Sequence, residues 1–141
     1  MVVAFVATLA FAVIFNVSRS ELVFCGVAGI VSEGVYQLMI NVSVGEPLAI
    51  LIAAAAVTAV TRSLANLRKM PVTVYLIAGI IPLVPGTGMY KTVYNLISSD
   101  YAQAMNVGAY TLKAAVAIAI GIVIVFALPN RIFFKRKNTF K

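Results

Sequence analysis

The chain has 141 residues, of which 62% are apolar and 11% charged, with eleven Lys or Arg against four Asp or Glu and a net charge of +7. So much apolar surface on so short a chain excludes an ordinary soluble domain, which would have to expose large apolar patches. There is no histidine, which removes Ser-His-Asp and Cys-His catalysis and most zinc chemistry, so neither an enzyme, a metal site nor a cofactor is expected.

The length suits one domain, and the apolar runs make residues 1–141 a single transmembrane domain. The first run, about 1–16, is short for a span, which takes roughly 20 residues. It lacks the basic n-region and small-residue cleavage pattern of a signal peptide, so it reads as a helix that stays. The second run covers 22–40. The third covers 47–61 and includes Ala53-Ala54-Ala55-Ala56. A basic break with Arg62, Arg68 and Lys69 follows. The fourth run, 72–98, is interrupted by Pro82, Pro85, Gly86 and Gly88. The fifth covers 109–128, and a basic tail, 129–141, carries Arg131, Lys135, Arg136, Lys137 and Lys141.

The expected fold is therefore an all-α integral membrane protein of five transmembrane helices. Five crossings put the 62–70 loop and the tail on one side, together with Arg19. The opposite loops, 41–46 and 99–108, carry Glu46 and Asp100 and no Lys or Arg. Positively charged loops stay in the cytoplasm, which predicts N-out, C-in in the plasma (inner) membrane. The basic residues flank apolar runs instead of covering one face, so they report bilayer orientation and not nucleic acid.

The fourth run carries the most information. Pro82 and Pro85 each remove a backbone donor and clash with the preceding turn, and Gly86 and Gly88 are expected to supply backbone freedom. From Val72 to Ile81 is about 15 Å at helical rise, half of a core of roughly 30 Å, so the break is expected near the midplane. Unwound backbone at that depth is tolerated only against protein or a wet cavity, and such breaks build substrate sites in transporters. The competing reading is a surface loop followed by an interfacial helix. The half-helix after the break places Thr87, Lys91, Asn95 and Ser98 on one face and Met89, Val93, Leu96 and Ile97 on the other. Its free N–H groups favour an anionic group such as a carboxylate.

Inside the spans, Glu33 lies about 16 Å along the second helix. A carboxylate at that depth is a functional candidate, free to carry a proton or to pair with Lys91. Gly29, Ser32, Tyr36 and Gln37 share its stripe, with Cys25 near one end. Lys113 is close enough to a helix end to snorkel, and Ala117 with Gly121 forms a small-x-x-x-small packing pair.

The run Pro71-Val-Thr-Val-Tyr-Leu-Ile-Ala-Gly-Ile-Ile-Pro-Leu-Val-Pro-Gly-Thr-Gly-Met-Tyr90 resembles the hallmark segment of the threonine/serine exporter family. Arg62-Ser-Leu-Ala-Asn-Leu-Arg-Lys-Met70 and Phe24-Cys-Gly-Val-Ala-Gly29 fit the same family. The chain is similar to the small C-terminal-half type that occurs as a separate polypeptide. The resemblance implies ion-gradient-driven export of threonine and serine, or of small dicarboxylates such as succinate. It also implies a second membrane subunit supplying the other half; a homo-oligomer is the alternative partner. Pro82, Pro85, Gly86, Thr87 and Gly88 carry over as motif positions. Glu33, Gln37, Lys91 and Asn95 enter the candidate substrate-binding set on the physical argument alone. A non-transporting membrane scaffold is the competing functional class; it predicts a dry, fully packed interior.

Overall fold

The computed structural model describes residues 2–129. The basic residues of the tail from Arg131 onward lie outside the described residues. The described chain is helical throughout: α1 (Val2–Ile14), α2 (Leu22–Asn41), α3 (Glu46–Arg68), α4 (Val72–Ile80), a 3₁₀ turn (Ile81–Leu83), α5 (Gly86–Ile97) and α6 (Tyr101–Ala127). α2, α3 and α6 are long and apolar enough to cross a membrane, and the bent pair Val72–Leu83 and Gly86–Ile97 makes a fourth crossing if taken as one span. α1 is a shorter apolar helix.

Two of these helices outrun the apolar runs that suggested them. α3 continues past Thr61 to Arg68, because Arg62 is buried and Ser63 folds its hydroxyl back onto the Ala59 carbonyl at 3.0 Å. α6 begins at Tyr101, where the Asp100 side chain accepts a hydrogen bond from the Gln103 N–H at 3.2 Å. That capping carboxylate satisfies an otherwise orphaned donor, so the helix starts before the apolar run does. Short loops follow α1, α2, α3 and α5. Each turns through a residue with positive φ: Asn16, Ser43, Lys69 and Ser99. Backbone bonds such as Val44 N–H to the Met39 carbonyl (3.1 Å) and Asp100 N–H to the Asn95 carbonyl (2.9 Å) close these ends in Schellman fashion.

The side-chain pairings set the helix directions. Glu21 meets Arg68 and Tyr75 at one end, and Tyr36 meets Glu46 at the other. Hence α2 runs antiparallel to α3 and parallel to α4. α6 runs parallel to α3, with Tyr110 and Ala114 beside Glu46 and Ile50 and Val125 and Leu128 beside Arg62. Two parallel helices require a net return between them. α4, its 3₁₀ turn and α5 make the connection between them.

Small residues allow the close approaches. A Cβ added at Gly79 would lie 2.8 Å from Ala28 Cβ and 2.9 Å from Val57 Cγ2, so α4 sits in the groove between α2 and α3. One at Gly121 would lie 2.6 Å from the Leu51 carbonyl oxygen and 2.9 Å from Ala54 Cβ. The alanine run of α3 and the Ala117/Gly121 pair of α6 thus meet, and the small residues expected to allow close approach do so against each other. Ile50, Ala53, Ala54, Leu83, Ala114, Ala117 and Ile118 form one buried cluster, and Ala12, Cys25, Ala65, Tyr75 and Ala78 form a second.

Candidate functional site

The break between α4 and α5 follows from its prolines. Pro82 enters the 3₁₀ turn, and Val84 leaves helical geometry with ψ 125° before Pro85 caps α5. The two pieces bend by 59°. Gly79 rests on Val57, midway along α3, and the break lies beyond it. α4 with its 3₁₀ turn covers about 20 Å at the rises of the two helix types, more than half of a core of roughly 30 Å. The 3₁₀ turn carries the chain through Leu83 before it unwinds, so the break lies nearer the end where α3 begins. Among the described residues no glycine has positive φ. Gly86 has open space around it, whereas Gly88 has no room for a side chain because Thr111 Oγ1 occupies it. Gly88 thus serves close packing of α5 on α6, not the backbone freedom expected of it.

Beside the break lies a cavity of about 160 Å³, lined by Tyr36, Glu46, Ile50, Pro82, Leu83, Val84, Pro85, Tyr110 and Ala114. Tyr36 donates its hydroxyl hydrogen bond to Glu46 Oε1 at 3.2 Å, and Tyr110 stands beside the same carboxylate. Glu46 opens α3, where the helix dipole favours a negative charge. Its neighbour Pro47 lies in the first turn, where a backbone N–H would have no helical partner. The walls are otherwise apolar, so the polar groups of this cavity converge at one edge.

The candidate residues named from sequence separate into three places. Pro82 and Pro85 line this cavity. Thr87, Gly88 and Lys91 line a shallower hollow with Asn106, Val107 and Tyr110 on α6, and Asn95 is half-buried on the same side of α5 as Gly88 and Thr92. Gly86 is exposed at the start of α5. Glu33 accepts a 2.9 Å hydrogen bond from Gln37 Nε2 on its own helix. Lys91, beside Asn106, lies farther along the bundle than the Tyr36–Glu46 level, and Glu33 lies before it. The structure does not bring Glu33 and Lys91 together. The polar face of α5 is also shared differently: Gly88, Thr92 and Asn95 turn toward α6, and both of the faces drawn from sequence remain largely exposed.

Sequence reasoning missed Glu46, Tyr110 and Glu21. Glu46 read as a loop residue, since the carboxylate precedes the third apolar run and nothing local ties it to residue 36, 82 or 110. At the opposite end Glu21, buried at 4% exposure, receives Arg68 through Nη2 at 2.8 Å and Nε at 3.2 Å, and also the Tyr75 hydroxyl. The hydrogen bonds from Arg68 and then Tyr75 hold its carboxyl down at about 2. Arg68 also lies over the Phe24 ring at 4.8 Å. Arg62, buried in α3, donates to the Val125 carbonyl and, at 3.3 Å, to that of Leu128. It closes the C-terminal end of α6, whose last carbonyls lack helical partners.

Long apolar helices, close packing through small residues and a bent helix pair that unwinds beside a partly polar cavity fit a helical membrane transport protein. The chain belongs to the threonine/serine exporter family. The model of that family, described as Threonine/Serine exporter, ThrE, matches residues 1–128. No solved structure matches the chain.

Proposed function

We propose that this chain is one subunit of a secondary exporter of small polar amino acids of the threonine and serine type. It is driven by an ion gradient and completed by a second membrane subunit or another copy of itself. The cavity beside the Pro82–Pro85 break carries this reading, because it sits where the crossing unwinds in a chain of an exporter family. Its polar edge is open: Glu46 and Tyr110 are both exposed, which suits a site that a second subunit closes.

In this reading the chain crosses the inner membrane five times, with α4 and α5 as one broken span and α1 as the first. The end bearing Arg19, Arg62, Arg68 and Lys69 is cytoplasmic, in keeping with positive-inside. The parallel course of α3 and α6 supports the single return between them. The substrate-binding set proposed here comprises Glu33, Gln37, Pro82, Pro85, Gly86, Thr87, Gly88, Lys91 and Asn95.

The test is efflux from cells lacking their own exporters, with the chain expressed alone and with the candidate second subunit, comparing threonine, serine and succinate. Efflux of threonine and serine that needs both polypeptides is the expected result. Efflux by neither combination returns the chain to a scaffold. The double substitution Glu33→Gln with Lys91→Ala is expected to lower threonine efflux severalfold at unchanged membrane level; normal efflux removes those two residues from the set.

A further inference from the structure

Resting on the exporter reading above, we infer that Tyr36, Glu46 and Tyr110 form the subsite that takes the ammonium group of the substrate. The cavity has a carboxylate at its edge, two phenol rings beside it, and apolar walls from Ile50, Leu83, Pro82 and Pro85. That combination matches a protonated amine on a short carbon body. Charge-assisted hydrogen bonds to the carboxylate and attraction to the ring faces both act on the cation.

No lysine or arginine among the described residues forms an ion pair with Glu46. Lys113 lines a separate apolar groove with Pro47, Leu48 and Leu51, and Lys91 lies with Thr87 and Asn106. The ion pair among the described residues is Arg68 with Glu21, at the other end of the bundle. Glu46 is thus held by a neutral hydroxyl, which keeps its charge available to a ligand. The cavity is well below the roughly 300–1,000 Å³ of sites for drug-sized ligands, so it takes the head of a small molecule. A dicarboxylate would bring its negative charge against Glu46, so the subsite selects for an amine.

The alternative role for Glu46 is only to favour the N-terminus of α3, and discrimination between ligands separates the two. Proteoliposomes containing the full chain and its second subunit are tested for counterflow of labelled L-threonine. Unlabelled L-threonine, N-acetyl-L-threonine and succinate serve as competitors. In the wild type, N-acetyl-L-threonine, which lacks the ammonium, is expected to compete at least about tenfold more weakly than L-threonine, as at sites built around a specific polar group. Glu46→Gln is expected to raise the threonine KM by about tenfold and to shrink that gap to within about twofold. Glu46→Asp, which keeps the charge, and Tyr36→Phe, which keeps the ring, are expected to retain the gap. They read the assignment even where Glu46→Gln inserts poorly.

Equal competition by threonine and its N-acetyl derivative in the wild type overturns the ammonium subsite while leaving the exporter reading intact. So does Glu46→Gln with wild-type KM and discrimination, or a loss of rate that leaves the gap unchanged. Wild-type counterflow of succinate without threonine overturns both readings.

Discussion

Glu21 shows how one side chain ties three segments. It precedes α2, yet its carboxylate takes hydrogen bonds from Arg68 at the end of α3 and Tyr75 in α4. Its carboxyl is held at about 2, below the ordinary 4.5. A depressed carboxyl favours the folded state fully above its unfolded value and loses that contribution as the pH falls through the folded value. Thermal stability of the purified protein in detergent is expected to hold down to a pH of about 5 and to fall between about 4.5 and 2. Glu21→Gln should be less stable at neutral pH and lose the slope in that window; an unchanged slope assigns the acid sensitivity to another group. The residue was visible in the sequence, but its partners stand 47 and 54 positions away, and local pattern carries no information about such pairs.

At the scale of elements, the helices were legible and their ends were not. Apolar runs of near-constant composition mark α2, α3 and α6, but α6 starts at an Asp100 cap and α3 ends at a buried arginine, features set by side-chain bonds. The small-residue contacts were legible as spacing. Gly121 faces the Leu51 carbonyl and Ala54, a backbone approach that cannot yield to a larger side chain by rotamer changes alone. Gly121→Leu is therefore expected to destabilise the α3–α6 contact by about 1–3 kcal/mol, the usual cost of overpacking. The check is the denaturation midpoint in mild detergent, with Ile120→Leu on the exposed face as a control that leaves it unchanged. The proline break was also legible, since proline lacks the donor and fills the space that a helix requires.

At the scale of the molecule, the bundle has two chemically distinct ends. One holds Arg62, Arg68 and Lys69, the other Glu46 and Asp100. α6, with 27 residues, is about 40 Å long, more than a core of roughly 30 Å. Tyr110 lies level with Glu46, so α6 from Tyr101 onward extends about 13 Å past the start of α3. α5 accompanies it, with Tyr90, Tyr94 and Tyr101 exposed, residues that suit a membrane–water boundary. The proposed topology makes a direct prediction. In a Cys25→Ser background, Gly45→Cys and Ser99→Cys should react with an impermeant maleimide on intact cells, and Ser18→Cys and Lys69→Cys only after permeabilisation. Labelling of Gly45→Cys and Lys69→Cys from the same side overturns the five-span arrangement.

Composition and motif by themselves determined that this is a helical membrane protein of an exporter family with a helix broken at Pro82 and Pro85. Apolar content, loop charge and proline act locally or additively, so they survive in a linear reading. Only the tertiary structure decided which polar residues meet. It separated Glu33 from Lys91 and placed Tyr36, Glu46 and Tyr110 around the break. The reason is geometric: which side chains share a cavity depends on the directions and relative heights of α2, α3 and α6, and small-residue packing between distant segments sets those.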